Sequence, residues 1–397
     1  MRTSMQGLNI DQHGPKSLST LLVYSNCFLP IEQAVACYAG GGLFWNSLMA
    51  SETIHSLATM VRHLRLSQAC PLANGKQLQA LGQLTCLQSL DLSFNYDSSD
   101  TCSFADQISN LQQLQQLSIS VWDVDAPPCI QLPVSISTMG SLRSLDLQGC
   151  KHEGDCFFMP CALTGLTYLG IGSCSLSLPR SLAGMSQLHT LKWDHITNCG
   201  SIRVLGDLTN LQVLELHWCG IEAEQALHNA LCCLKRLQHV YIEDIYIRTD
   251  VQGYQCRCSR INVEAFNGCS QLETLHLAEV LIRTVPVLRG LPRLRELHLC
   301  SCWSATDRLQ MPPNSALASL TALQSLTLVS YHQDFQLTES LIELCLHLTH
   351  LTSLSLHAQE SYHEWDYGSA CCISDLQAAV QSGQVGLKIL EIEPYSF

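Results

Sequence analysis

One nine-residue phrase governs what this chain can fold into. Leu87-Gln88-Ser89-Leu90-Asp91-Leu92-Ser93-Phe94-Asn95 fits the pattern L-x-x-L-x-L-x-x-N/C, and copies start at Leu18, Val61, Leu87, Leu114, Leu142, Leu166, Leu188, Leu211, Leu237, Leu272, Leu294, Leu323, Leu351 and Leu387. From Val61 onward the steps are 26, 27, 28, 24, 22, 23, 26, 35, 22, 29, 28 and 36 residues. A unit that returns at such a spacing marks a stacked-repeat architecture. In L-x-L the two apolar side chains lie at period two and share one face of a short strand, while the residue between them faces the other way. A single strand of this kind cannot bury its leucines, but identical strands stacked in parallel turn them into a continuous column. Leu145 is therefore expected in the core and Asp146 outside it. Leu145→Asp should strand a carboxylate among leucines at a cost of several kcal/mol, whereas Asp146→Ala should cost under about 0.5 kcal/mol.

Between strands the apolar residues change period. Leu78, Leu81, Leu84 and Leu87 are spaced by three, as are Ile136, Met139 and Leu142, then Leu205, Leu208 and Leu211, then Leu288, Leu291 and Leu294. That spacing predicts a short one-faced helix or 3-10 segment leading into each strand. The closing position holds Asn95, Cys150, Cys174, Cys219 and Cys302, groups able to hydrogen-bond backbone where the strand turns away. On these residues the chain resembles a leucine-rich repeat protein over about nine tenths of its length. The fuller phrase LPVSISTMGSLRSLDLQGC at residues 132–150, with a second copy beginning at Leu178-Pro179-Arg180-Ser181-Leu182, is similar to the repeats of plant and algal intracellular leucine-rich repeat proteins. The resemblance implies an α/β solenoid, a horseshoe with a concave parallel β-sheet and short helices or 3-10 turns on its convex side.

Domain organisation follows from the copies. Residues 1–17 read as a lead-in, and residues 18–397 as a repeat domain of about 13–14 copies with an irregular N-terminal part at 18–60. Insertions fall at about 246–262 and 359–372. Leu29-Pro30-Ile31-Glu32 matches the opening of an F-box, but the later residues of that motif do not follow. After Leu387-Lys388-Ile389-Leu390-Glu391-Ile392 no polar cap is visible, although terminal repeats ordinarily need one.

Composition narrows the function. The net charge is −13 and only 14% of residues are charged, which gives no electrostatic footprint for nucleic acid or an anionic membrane. No signal peptide or membrane span is recognisable. The 22 cysteines fall largely on repeat positions of a long chain that already has a core, so they read as reduced thiols of an intracellular protein. Cys256-x-Cys258 is too short a pair for a structural zinc site and lacks a second pair. The adjacent Cys232-Cys233 and Cys371-Cys372 should diverge. No phosphate loop, nucleophile elbow, H-E-x-x-H or dinucleotide fingerprint occurs, so neither catalytic residues nor a cofactor or metal is expected.

The resemblance implies that the chain binds another protein through the exposed residues of its strands. The copies from Leu188 to Leu294 present Lys192, Asp194, His195, Glu215, His217, Trp218, Tyr241, Glu243, Asp244, His276, Glu279 and His298 at exposed strand positions, a denser set of aromatic, acidic and imidazole groups than elsewhere. By contrast, the copy at Leu166 offers Gly170, Gly172 and Ser173, and that at Leu323 offers Thr327, Val329 and Ser330. His276 and His298 occupy the same position of consecutive copies, which predicts neighbours on strands roughly 4.8 Å apart. The acidic groups would steer a basic partner towards the sheet, and Trp218 and Tyr241 belong to the residue types that dominate binding energy. The expectation is a non-catalytic cytoplasmic scaffold that is not secreted, with the cytoskeleton or ciliary axoneme implied by the resemblance. The alternative is the recognition arm of a ubiquitin-ligase or plant-type immune receptor without its effector module.

Overall fold

The computed structural model of the chain describes residues 20–24, 34–38, 61–67, 81–95, 102–103, 106–122, 130–131, 134–148, 163–172, 180–194, 202–221, 223–248, 256–258, 260–282, 288, 290–300, 317, 319–330, 340–359 and 367–395. They belong to two compact units, Met1–Cys174 and Ser175–Phe397.

In the first unit a parallel sheet is built from β1 (Thr20–Tyr24), β2 (Ala34–Tyr38), β3 (His63–Ser67), β4 (Ser89–Asn95), β5 (Gln116–Trp122), β6 (Ser144–Gln148) and β7 (Tyr168–Gly172). From β3 onward the strands follow chain order, and Leu64, Leu90, Leu117, Leu145 and Leu169 are successive register partners. Each of these leucines is at most 2% exposed, and a slip of one residue would turn the whole column towards solvent. Leu145 and Asp146 lie on opposite faces as the alternation predicts, but Asp146 is not a bare surface group. It accepts hydrogen bonds from Gln148 Nε2 at 2.8 Å and from the Tyr168 hydroxyl at 3.3 Å, in space that a side chain on Gly170 would invade. The strand β2 carries no L-x-L phrase. It pairs with β1 on the side away from β3, so sheet order departs from chain order there.

In the second unit the parallel strands are β8 (Thr190–Asp194), β9 (Val213–His217), β10 (His239–Glu243), β11 (Thr274–Ala278), β12 (Glu296–Cys300), β13 (Ser325–Ser330), β14 (Ser353–Gln359) and β15 (Ile389–Tyr395). They pair in chain order without register slips. Two apolar columns run beneath them, one through Leu191, Leu214, Val240, Leu275, Leu297, Leu326 and Leu354, the other through Trp193, Leu216, Ile242, Leu277, Leu299, Leu328 and Leu356. Trp193 stands where the other copies carry an aliphatic residue; it is 1% exposed and its Nε1–H finds no acceptor.

The period-three stretches become tight turns. Leu84 and Leu87 donate their N–H groups to the carbonyls three residues earlier, and the same pattern recurs at Met139 and Leu142, at Leu208 and Leu211, and at Leu320 and Leu323. Short 3-10 segments precede several of them, including Val134–Thr138, Arg180–Gly184 and Ile202–Asp207. Full helices form at α1 (Glu224–Cys233), α2 (Ser340–His347) and α3 (Tyr367–Gln381). Successive copies are tied by a recurring fork in which two consecutive N–H groups share one carbonyl of the copy before. Gln238 and His239 bond to Gln212 O in this way, and Glu273 and Thr274 bond to Gln238 O.

The insertion at 246–262 contains added sheet: Tyr246–Arg248 pairs antiparallel with Cys256–Cys258 and parallel with Gly220–Ile221. In the insertion at 359–372, residues 367–372 open α3. The lead-in, the segment Leu29–Glu32, residues 360–366 and the closing cysteines Cys150, Cys174 and Cys302 lie outside the described residues. Among the described residues no helix is long and apolar enough to cross a membrane.

Candidate functional site

The site grows from one fact of strand geometry: residues at odd positions of β8–β12 share the face opposite the apolar columns. Parallel in-register pairing then aligns them across strands into rows. The middle row runs Lys192, Glu215, Tyr241, His276 and His298. The next runs Asp194, His217, Glu243, Ala278 and Cys300. Every predicted residue within β8–β12 therefore comes to one surface. His195 lies outside the described residues.

Within each row, neighbouring strands are chemically coupled. Lys192 Nζ sits 2.8 Å from Glu215 Oε2, and His217 Nδ1 sits 3.1 Å from Glu243 Oε2. The imidazoles of His276 and His298 stack with centroids 5.5 Å apart, and the Tyr241 ring lies 6.0 Å from His276 on the other side. Burial holds His276 below the usual imidazole range, helped by the positive charge that His298 and His217 would carry and opposed by Glu243. Burial does the same to His298, opposed by Glu296. Burial likewise pushes the Cys300 thiol up to about 11, reinforced by Glu243 and Glu279.

Trp218, Asp244 and Glu279 are placed differently from the sequence expectation. They are not strand residues but lie one position past the ends of β9, β10 and β11, with φ of 52°, 50° and 49°. Each donates its N–H to the last carbonyl of the next strand: Trp218 to Glu243 O at 3.0 Å, Asp244 to Ala278 O at 3.1 Å and Glu279 to Cys300 O at 2.9 Å. This left-handed step swings the chain into the closing position, where Cys219, Ile245 and Val280 are buried. Cys219 Sγ hydrogen-bonds the carbonyls of His217 at 3.2 Å and Trp193 at 3.4 Å, the backbone role anticipated for that position. Trp218 is left 49% exposed at the rim, although a left-handed backbone is rare for a bulky residue.

A third row escaped the sequence reading. His239, Thr274 and Glu296 occupy the first positions of β10, β11 and β12 in register. His239 Nδ1 lies 3.2 Å from Thr274 Oγ1, whose hydroxyl donates to Glu296 Oε2 at 3.3 Å. Because that hydroxyl has one proton, the histidine nitrogen is the donor in the first link. The signal was present in the period-two alternation, which puts the residue before the first strand leucine on the same face as the one after it. Across these rows and the rim, six carboxylates (Asp194, Glu215, Glu243, Asp244, Glu279 and Glu296) face one lysine, Lys192. Among the described residues no three His, Cys, Asp or Glu side chains gather as metal ligands.

No family model and no curated protein matches the chain. Solved structures do. A leucine-rich repeat protein of Leptospira interrogans aligns over 99% of this chain and 100% of its own, with 18% identity and a TM-score of 0.59. An internalin of Listeria monocytogenes aligns over 86% of this chain and 83% of its own, with 17% identity and a TM-score of 0.53. At such identities the likeness is one of fold, and the fold is the leucine-rich repeat solenoid.

Proposed function

We propose that this leucine-rich repeat protein is a non-catalytic scaffold that binds a basic protein partner on the polar face of β8–β12. The observation that carries the reading is the in-register assembly of Tyr241, His276 and His298, flanked by Glu243 and Glu296 in the neighbouring rows and by the exposed Trp218. A sheet that only needed wetting would be served by serine and threonine, as β13 and β14 are at Ser325, Thr327 and Ser353. Aromatic groups supply contact area at low entropic cost, and unbalanced carboxylates favour encounter with a positive surface. The reading places the protein in a reducing, cytoplasmic setting, in keeping with the thiols of Cys86, Cys232, Cys233, Cys269 and Cys345.

The test is affinity capture from cell extract followed by quantitative binding to the recovered partner. Trp218→Ala, or charge reversal of both Glu215 and Glu243, should weaken binding by at least about tenfold with the fold intact. Gln115→Ala, just before β5, and Ser353→Ala, on β14, both outside the site, should leave it unchanged. Wild-type affinity in both site variants would refute the assignment, and recurrent recovery of ubiquitin-ligase adaptor subunits would replace the scaffold with a receptor arm.

A further inference from the structure

Away from that face, helix α1 holds a pair of groups that the binding reading does not use. Its sequence, EQALHNALCC, buries Ala226, Leu227, Ala230 and Leu231 against the rest of the unit. Residues four apart sit above one another on a helix surface, so His228 and Cys232 meet at the margin of the buried stripe. Cys232 Sγ lies 3.6 Å from His228 Nε2. Cys233 is turned to another side: it is exposed, and its Sγ bonds to Asn229 O at 3.4 Å. The two adjacent cysteines diverge as a helix requires, and the partner of Cys232 is the histidine one turn earlier.

We propose that His228 and Cys232 form a two-ligand site for a thiophilic divalent cation of the zinc class. The separation is the argument. Zinc sits about 2.3 Å from a thiolate sulfur and about 2.0–2.1 Å from an imidazole nitrogen, and at a tetrahedral angle those bonds put the ligand atoms roughly 3.5–3.6 Å apart. The pair, joined here by a thiol–imidazole hydrogen bond, already holds the ligand spacing, so a metal that replaces the shared proton needs only small side-chain rotations, on the i, i+4 spacing by which paired side chains on one helix face grip zinc in other proteins. Binding replaces the thiol proton, which leaves to solvent, with a metal–sulfur bond; Nε2 donates its lone pair, which places the imidazole proton on Nδ1. His228 Nδ1 is buried with no hydrogen-bond partner, so packing rather than an acceptor orients the ring. A site with two protein ligands and no such acceptor binds more weakly than a four-ligand structural site, and its remaining positions are filled by water. Hard cations such as Mg2+ gain nothing from a thiolate.

The experiment is a site-resolved alkylation footprint on the full chain, with zinc chloride alone as the probe. The protein is treated with iodoacetamide in increasing Zn2+, and the modification of each cysteine is followed by peptide mass spectrometry. Zn2+ should slow alkylation of Cys232 by roughly tenfold, leave the exposed Cys233 unaffected and be reproduced by Cd2+ but not by Mg2+. His228→Ala and the more conservative H228Q should each abolish the protection, with unchanged circular dichroism and unchanged alkylation of Cys86 showing that the fold survives. Equal protection of Cys232 and Cys233, protection that persists in both His228 variants, or no protection of Cys232 at millimolar Zn2+ would each overturn the proposal.

Discussion

The left-handed step at Trp218 makes a prediction whose sign is the reverse of ordinary expectation. Comparing Trp218→Gly with Trp218→Ala removes the same indole contacts in both variants, so their difference isolates the backbone. At φ 52° an L-residue carries a steric cost of about 1–2 kcal/mol that glycine escapes. Glycine gives back about 0.4–1 kcal/mol through the larger freedom of its unfolded chain. The glycine variant should therefore be more stable than the alanine variant by roughly 0.5–1 kcal/mol. At Glu215, inside β9, the backbone is extended and the order should invert, with alanine ahead by about 0.5–1 kcal/mol. The swing between the two sites is then roughly 1–2 kcal/mol, well within reach of urea denaturation if the two variants share an m-value. Asp244 and Glu279 should behave as Trp218 does. Alanine equal to or better than glycine at all three rim positions would show that the left-handed step is not a cost the fold bears, and the case for Trp218 as a residue retained for contact would lose its basis.

Four further outcomes follow from particular contacts. His276 and His298 are held below the usual imidazole value of about 6.5, so below that pH the unfolded chain binds more protons than the folded one; stability should fall as pH drops through about 6.5 and level off below the folded values, and replacing both with Asn should flatten that slope in pH-dependent melts. Trp193→Phe removes a buried N–H without an acceptor, which offsets the lost contacts, so it should cost under about 1.5 kcal/mol where Trp193→Ala costs about 3–5 kcal/mol; equal losses in thermal melts would refute this. Asp146→Ala should cost about 1 kcal/mol through loss of the Tyr168 and Gln148 bonds, more than a bare surface position, and in a Tyr168→Phe background the cost should shrink only in part, because the shorter Gln148 bond remains. Thiol titration under denaturing, non-reducing conditions should find most of the 22 cysteines free, while in the folded protein Cys300 and Cys345, pushed up to about 11 and about 12, should be among the slowest to alkylate at pH 8.

The apolar columns were readable because leucine at period two admits one arrangement when the phrase itself recurs, whatever the length between copies: the register of Leu90 on Leu117 or Leu275 on Leu297 follows from aligning the copies. The period-three turns were readable for the same reason. What the pattern could not supply lies where sequence obeys no period. β2 arises from Ala34–Tyr38, which holds no leucine pair, and its place outside β1 is a matter of sheet topology rather than of local spacing. The hairpin of Tyr246–Arg248 on Cys256–Cys258 joins residues across an insertion whose length alone predicts only a loop.

The site was legible to the depth that alternation reaches. Period two places Lys192, Glu215, Tyr241, His276 and His298 on one face, and equal phrase positions place them in one row; a stacked imidazole pair is then a direct consequence of a parallel strand spacing. Two features lay beyond that rule. The row of His239, Thr274 and Glu296 precedes the first strand leucine, outside the span between the two leucines on which attention naturally falls, and its hydrogen bonds depend on side-chain reach across strands. Trp218, Asp244 and Glu279 follow the last strand residue, where counting by two would turn them to the core; a left-handed backbone resets the direction instead and delivers the next residue to the closing position. Glycine is the residue that accepts such a backbone without cost, and the copy at Leu142 carries Gly149 at the equivalent place. A tryptophan at that position in the copy at Leu211 bears the same left-handed backbone as Asp244 and Glu279 while leaving its indole 49% exposed, so in the proposed reading the indole is held there for contact rather than for packing.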